Sequence, residues 1–305
     1  MEGILPLYKP AGMTSHDCVF RLRKLLKTKK VGHTGTLDPD VTGVLPICVG
    51  KATKVAEYIT DAGKAYEGEV TLGFTTTTED ASGEKVVEKA VDREIRREEI
   101  EGTLRSFLGE IEQTPPMYSA VKVKGKRLYE YARQGIEVER PTRKVNIYSI
   151  DLLDDRKIFA GDRIRFKFRV SCSKGTYIRT LAVMIGERLG YPAHMSSLVR
   201  IQSASFSLED CYTFEQLEEM ASERTIHTAL RPLEAGISYL PKYSINDKVA
   251  EKVKNGALLE IPSHLAETAG PIAVESEDGT ALAIYRRHPD KPGIMKPDKV
   301  LRNDQ

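Results

Sequence analysis

Between Ile164 and Cys172 the chain alternates without interruption. Ile164, Phe166, Phe168, Val170 and Cys172 fall on one parity, and Arg163, Arg165, Lys167, Arg169 and Ser171 on the other. Successive strand side chains point to opposite faces, so this segment predicts a strand with one apolar and one basic face. A second alternation sets Tyr66, Gly68, Val70 and Leu72 against Glu67, Glu69 and Thr71, and Gly73 ends it near a Thr-rich turn. Leu198 to Phe206 reads as a further strand.

Helical spacing appears between these segments. Val19, Leu22, Leu25 and Leu26 recur after Ser15, a plausible N-cap, and leave basic side chains on the opposite face. Ala52, Val55, Ala56 and Ile59 mark a second helix, Ile100, Leu104, Phe107 and Leu108 a third. Ile178, Leu181, Ala182, Ile185 and Leu189 mark a fourth. Thr213 and Gln216 have capping-box spacing before Leu217 and Met220, and Pro232 and Pro241 then punctuate the chain. The reading is two domains, 1–240 and 241–305, the second built from short apolar runs separated by Gly and Pro.

Bulk charge is nearly balanced, 46 Lys plus Arg against 44 Asp plus Glu, so its distribution matters more than its sum. Arg21, Arg23, Lys24, Lys27, Lys29 and Lys30 crowd one stretch and Lys122, Lys124, Lys126 and Arg127 another. One such run is an ordinary solvated face; two that flank candidate active-site segments point to a polyanion. The four cysteines, Cys18, Cys48, Cys172 and Cys211, lie far apart with no histidine at metal-ligand spacing, so reduced thiols and no metal are expected. The N-terminal stretch has no signal-peptide pattern and no apolar run of about 18 residues occurs, which makes a cytoplasmic protein off the membrane the expectation.

From Lys30 to Pro46 the chain is rich in Gly, Thr, Asp and Pro and reads as a long ordered loop. Its GHTGTLDPDVTG segment sets Asp38 before Pro39, which disfavours a helical backbone and presents the carboxylate from extended chain. Alone, an Asp-Pro is most often a turn.

Five ordered segments alter that balance. LYKPAGMTSHD (7–17), VGHTGTLDPDVTGVLPICVGKATK (31–54), KAYEGEVTLGFTTTTEDASG (64–83), QTPPMYSAVKVKGKRLYEYARQG (113–135) and CSKGTYIRTLA (172–182) together resemble the TruB family of pseudouridine synthases, which isomerise uridine 55 in the T arm of tRNA. One departure is LVRIQSASF, with Ser203 and Ala204 where the family usually has Gly or another small residue.

The resemblance implies an α+β fold: a catalytic domain on a mixed, largely antiparallel sheet, then a small β-rich PUA-like domain at 241–305. It implies Asp38 as the catalytic carboxylate, Arg179 as its cationic partner and Tyr66 as the residue that stacks on the target base. His33 would fill the space of the everted uridine, and Leu198 would line the uracil pocket. Lys9, His16, Arg21, Lys122, Lys124 and Arg127 are expected at RNA phosphates. The implied substrate is the T stem-loop of tRNA, bound by a stand-alone monomer with no guide RNA and no cofactor.

Overall fold

The computed structural model describes residues 1–302. The chain divides into two compact units: one comprises Met1–Asp40, Val44–Thr60 and the chain from Ala204 onward, the other Val41–Gly43 with Asp61–Ser203.

In the first unit, strand β1 (Gly3–Lys9) leads to helix α1 (Ser15–Leu25), strand β2 (Val31–His33) and the part of β3 (Thr42–Val49) that follows Gly43. β2 pairs antiparallel with β3, His33 opposite Ile47. The inward face of α1, Cys18, Val19 and Leu22, is buried against Leu5, Leu7, Leu45 and Ile47. Ser15, expected as the N-cap, is instead the first helical residue; Thr14 caps, accepting from Asp17 N, and the Asp17 carboxylate returns a bond to Thr14 N at 2.9 Å. A 3-10 turn (Gly50–Val55) and helix α2 (Ala56–Asp61) follow β3.

The second unit is built on the two alternating segments. β4 (Lys64–Leu72) continues through a hairpin, β5 (Phe74–Thr76) and β6 (Lys85–Glu88), to β7 (Ile95–Arg96), helix α3 (Arg97–Arg105) and β8 (Gly109–Gln113). A tight hairpin, β9 (Lys122–Val123) and β10 (Lys126–Arg127), precedes helix α4 (Leu128–Arg133) and β11 (Arg143–Leu152). Then come β12 (Ile158–Phe159), β13 (Arg165–Cys172), helix α5 (Ile178–Leu189) and β14 (Ala193–Ser203). The strand order is β14-β4-β13-β11-β8, antiparallel throughout, and Thr42 and Gly43 pair in parallel with Val199 and Arg200. The sheet is therefore mixed and largely antiparallel, as expected.

β13 is the predicted strand. Phe166, Phe168, Val170 and Cys172 are buried, whereas Arg169 on the other face pairs with Glu67 of β4 at 2.6 Å. Opposite charges on facing cross-strand positions satisfy each other, so Arg169 is neutralised within the sheet. α5 covers the apolar face at β14 and β4, and its Gly186 comes so close that an added Cβ would lie 2.2 Å from the Ala193 Cβ.

After β14 the chain returns to the first unit through β15 (Phe206–Ser207) and helix α6 (Phe214–Ser222), where Thr213 and Gln216 form the predicted capping box. Beyond it β16 (Lys242–Ile245), helix α7 (Asp247–Lys254), β17 (Leu259–Glu260), β18 (Ile272–Ser276), β19 (Ala281–Arg287) and β20 (Ile294–Val300) build a 5-stranded sheet ordered β16-β18-β19-β20-β17. It has its own core around Val253, Ile272, Val274 and Tyr285. A second core joins Ala273, Ala281, Ile284 and Leu301 to Ile4, Val44, Cys48 and Tyr58. Lys54 Nζ donates to Val300 O at 2.7 Å and Tyr58 Oη to Asp298 Oδ2 at 2.5 Å across the same junction. Among the described residues no helix is long and apolar enough to cross a membrane.

Ala204 has φ 52, in the left-handed region that costs an L-residue about 1–2 kcal/mol. Glycine would adopt this conformation without that cost.

Candidate active site

Asp38 is half-buried in the loop between β2 and β3, and its two neighbours are fixed through their backbones. Leu37, 4% exposed, donates its N–H to Ser15 Oγ at 2.9 Å, and Ser15 Oγ donates to Leu37 O at 3.4 Å. The Pro39 carbonyl accepts from Gly12 N at 3.0 Å and from Lys9 Nζ at 2.8 Å. The start of α1 and the segment before it thus form the seat of the loop. Ser15→Ala should cost about 1–2 kcal/mol of stability, the scale for a lost buried hydrogen-bond partner, and lower turnover as Leu37 loosens. Urea denaturation and steady-state kinetics measure the two effects; unchanged values in both would contradict this seat.

Lys9 is a correction to the expectation of a phosphate contact. It is 0% exposed, and its ammonium donates to Pro10 O and Pro39 O at 2.8 Å each, so it holds the loop rather than meeting solvent. A buried ammonium must be hydrogen-bonded, and these carbonyls supply the acceptors. Among the other expected phosphate contacts, His16 is exposed on α1. Arg21 pairs with Glu218 at 2.6 Å and lies over the Phe214 ring, so any RNA phosphate would compete with that carboxylate. Lys122, Lys124 and Arg127 are all exposed on the β9–β10 hairpin, whose turn places Lys124 and Gly125 at φ 49 and 85. Arg127 and Arg133 lie over the Tyr129 ring at 5.8 Å and 5.3 Å, giving the hairpin and α4 a mixed basic and aromatic surface. His33 ends β2, half-buried.

In the second unit Tyr66 is 8% exposed on the apolar face of β4, opposite Val170 on one side and Arg200 on the other. Leu198, half-buried, lies opposite Gly68 on the same face, so these two predicted residues flank one strip of the sheet. An added Cβ at Gly68 would lie 3.3 Å from Leu198 Cδ1 and 3.0 Å from the Phe168 ring, so glycine leaves room there. Arg179, 5% exposed in the first turn of α5, donates from Nη1 to Thr78 O and from Nη2 to Tyr118 O, each at 2.9 Å, with Asp80 Oδ2 3.7 Å away. Its guanidinium is thereby fixed against two loops.

Residue-by-residue reading missed Arg200 and gave no role to Lys64. Arg200, 1% exposed, is paired in register with Tyr66, and Lys64, 8% exposed, precedes Tyr66 on the same face. Burial, with the Arg200 guanidinium nearby, pushes the Lys64 ammonium down to about 8. The unfolded value is about 10.4, so between the two the unfolded chain binds more protons, and this group raises stability as pH rises through that window. The stability difference between wild type and Lys64→Met should therefore grow in favour of wild type from about pH 8 to pH 10.4 in urea titrations. A difference independent of pH would contradict the burial argument.

Comparison with known proteins decides the family. The TruB family pseudouridylate synthase N-terminal domain matches residues 23–178, and the tRNA pseudouridylate synthase B C-terminal domain matches residues 179–238. The chain belongs to the TruB family of pseudouridine synthases. It is an isomerase of that family. A relative from Geobacillus thermodenitrificans, named tRNA pseudouridine synthase B, is 62% identical over 302 residues, 99% of this chain and 100% of the relative. A Bacillus anthracis protein of the same name is 59% identical over 305 residues, 100% of this chain and 99% of the relative. Among solved structures, a Cbf5-Nop10-Gar1 complex contains a chain similar with TM-score 0.77 at 29% identity, covering 99% of this chain and 85% of that one. A chain of an H/ACA RNP bound to a substrate RNA containing 2'-deoxyuridine is similar with TM-score 0.73 at 26% identity, covering 98% and 85%.

Proposed function

We propose that this TruB family enzyme isomerises uridine 55 in the T loop of tRNA to pseudouridine. The observation that carries the reading is the 62% identity, along essentially the whole length of both chains, to a protein named tRNA pseudouridine synthase B. The far lower 29% identity to the Cbf5 chain supports a stand-alone enzyme over one that takes its target from a guide RNA.

The reaction breaks the bond between ribose C1′ and uracil N1, turns the detached base and joins C5 to C1′; N1 gains a proton and C5 loses one. Breaking a glycosidic bond builds positive charge on the sugar, which an adjacent carboxylate relieves. Asp38 takes that role at the ribose, Arg179 keeps it ionised and oriented, and Tyr66 stacks on the uracil with its hydroxyl near C5. His33 fills the gap of the everted nucleotide and Leu198 bounds the uracil. His16, Arg21, Lys122, Lys124 and Arg127 meet phosphates, which position the RNA without reading its sequence.

On this reading residues 1–240 form the catalytic domain and 241–305 a PUA-like RNA-binding domain, in a cytoplasmic monomer. Incubating the protein with an unmodified T stem-loop, a free nucleoside and a ribosomal RNA fragment, then assaying pseudouridine, tests the substrate class. Product from the T stem-loop alone is expected; product from the ribosomal fragment alone would overturn the proposal.

A further inference from the structure

Gln113 ends β8 opposite Arg143 of β11, and its side chain is buried, 1% exposed. Its carboxamide is spent on one residue: Nε2 donates to Tyr177 O at 3.1 Å, and Tyr177 N donates to Oε1 at 3.0 Å. Two bonds exchanged with a single residue reproduce, from a side chain, what a facing residue does in an antiparallel strand pair. The partners also fix which end of the amide is which, since Tyr177 N can only donate and Tyr177 O only accept.

Tyr177 is where α5 begins. It is the N-cap, at φ −95 and ψ 108, and no side chain of its own caps the helix. Its carbonyl also accepts the helical bond from Leu181 N at 3.0 Å. Arg179 follows within the first turn, and its Nη2 donates to Tyr118 O at 2.9 Å. The stretch from Gln113 to Tyr118, stiffened by Pro115 and Pro116, thus meets the first turn of α5 at both ends.

We infer that Gln113 is a positioning residue for the isomerisation, fixing the start of α5 and through it the place of the Arg179 guanidinium. The inference rests on the reading of Arg179 as the partner of the catalytic carboxylate. Reactive groups must be held to within a fraction of an ångström, so a loosened helix start reduces turnover before it reduces RNA binding. Gln113→Leu keeps the volume and removes both bonds. Gln113→Glu keeps the acceptor for Tyr177 N but, when ionised, sets a second acceptor against Tyr177 O. Once protonated, it again donates to that carbonyl.

The test measures pseudouridine formation from an unmodified T stem-loop by wild type, Gln113→Leu, Gln113→Glu and Arg179→Lys as a function of pH. Gln113→Leu should lower kcat about 10- to 100-fold with KM within about threefold. The activity of Gln113→Glu relative to wild type should rise about tenfold as pH falls from about 8 to about 5.5, as its buried carboxyl takes up a proton. A merely structural role would not produce that acid rescue, and the rescue can be read even if Gln113→Leu fails to fold. A pH-independent ratio for Gln113→Glu, or wild-type kcat in Gln113→Leu, would overturn the inference. Full activity in Arg179→Lys would instead remove the reading of Arg179 on which it rests.

Discussion

Replacing Gly43 with alanine is expected to cost about 3 kcal/mol or more of stability and to remove most turnover. Gly43 has φ 109, a backbone conformation that side-chain-bearing residues avoid, so any substitution is strained. Space makes it worse. A Cβ built there would lie 2.2 Å from Arg200 O and 2.9 Å from Arg200 N, backbone atoms that cannot rotate away. The close approach is the parallel pairing of Thr42 and Gly43 with Val199 and Arg200. Gly43 closes the loop that carries Asp38, and Arg200 is the residue in register with Tyr66. Forcing Gly43 off β14 therefore disturbs both. Urea denaturation and single-turnover assays measure the two losses; a Gly43→Ala protein with wild-type stability would contradict the account of this contact.

Asp38→Asn should lower turnover on the order of 10³-fold or more, the usual scale for removing a group that acts on the reacting bond. The substitution is nearly isosteric, and Leu37 and Pro39 seat the loop through their own backbones. RNA affinity should stay within about threefold, because phosphate contacts set it. Filter binding beside the activity assay separates the outcomes. A variant that binds RNA normally and turns it over at the wild-type rate would remove Asp38 from the mechanism.

Much of the fold was legible because it repeats locally. The alternation that ends at Cys172 became β13, and the Thr213–Gln216 spacing became a capping box. Two adjacent hydroxyls misled the assignment at α1: Ser15 was expected to cap, yet only Thr14 has a carboxylate, Asp17, at the third position after it. β14 begins at Ala193 rather than Leu198, and register shifts between Met195 and Ser197 and again between Arg200 and Gln202 break the period of two by which a strand is read from sequence. The candidate site rests on whole-segment resemblance rather than on any local pattern. Lys9 reads locally as a solvated cation, and nothing near it in sequence announces that Pro39 O would take its ammonium. Gln113 and Arg200 are similar cases: polar residues buried by parts of the fold far away in sequence.

The most direct test of the central claim uses a T stem-loop with tritium at C5 of uridine 55 alone. Joining C5 to C1′ releases that proton, so the account predicts stoichiometric tritium in solvent with wild type and none above background with Asp38→Asn. Retention of tritium by an RNA that the wild-type protein demonstrably binds would contradict it.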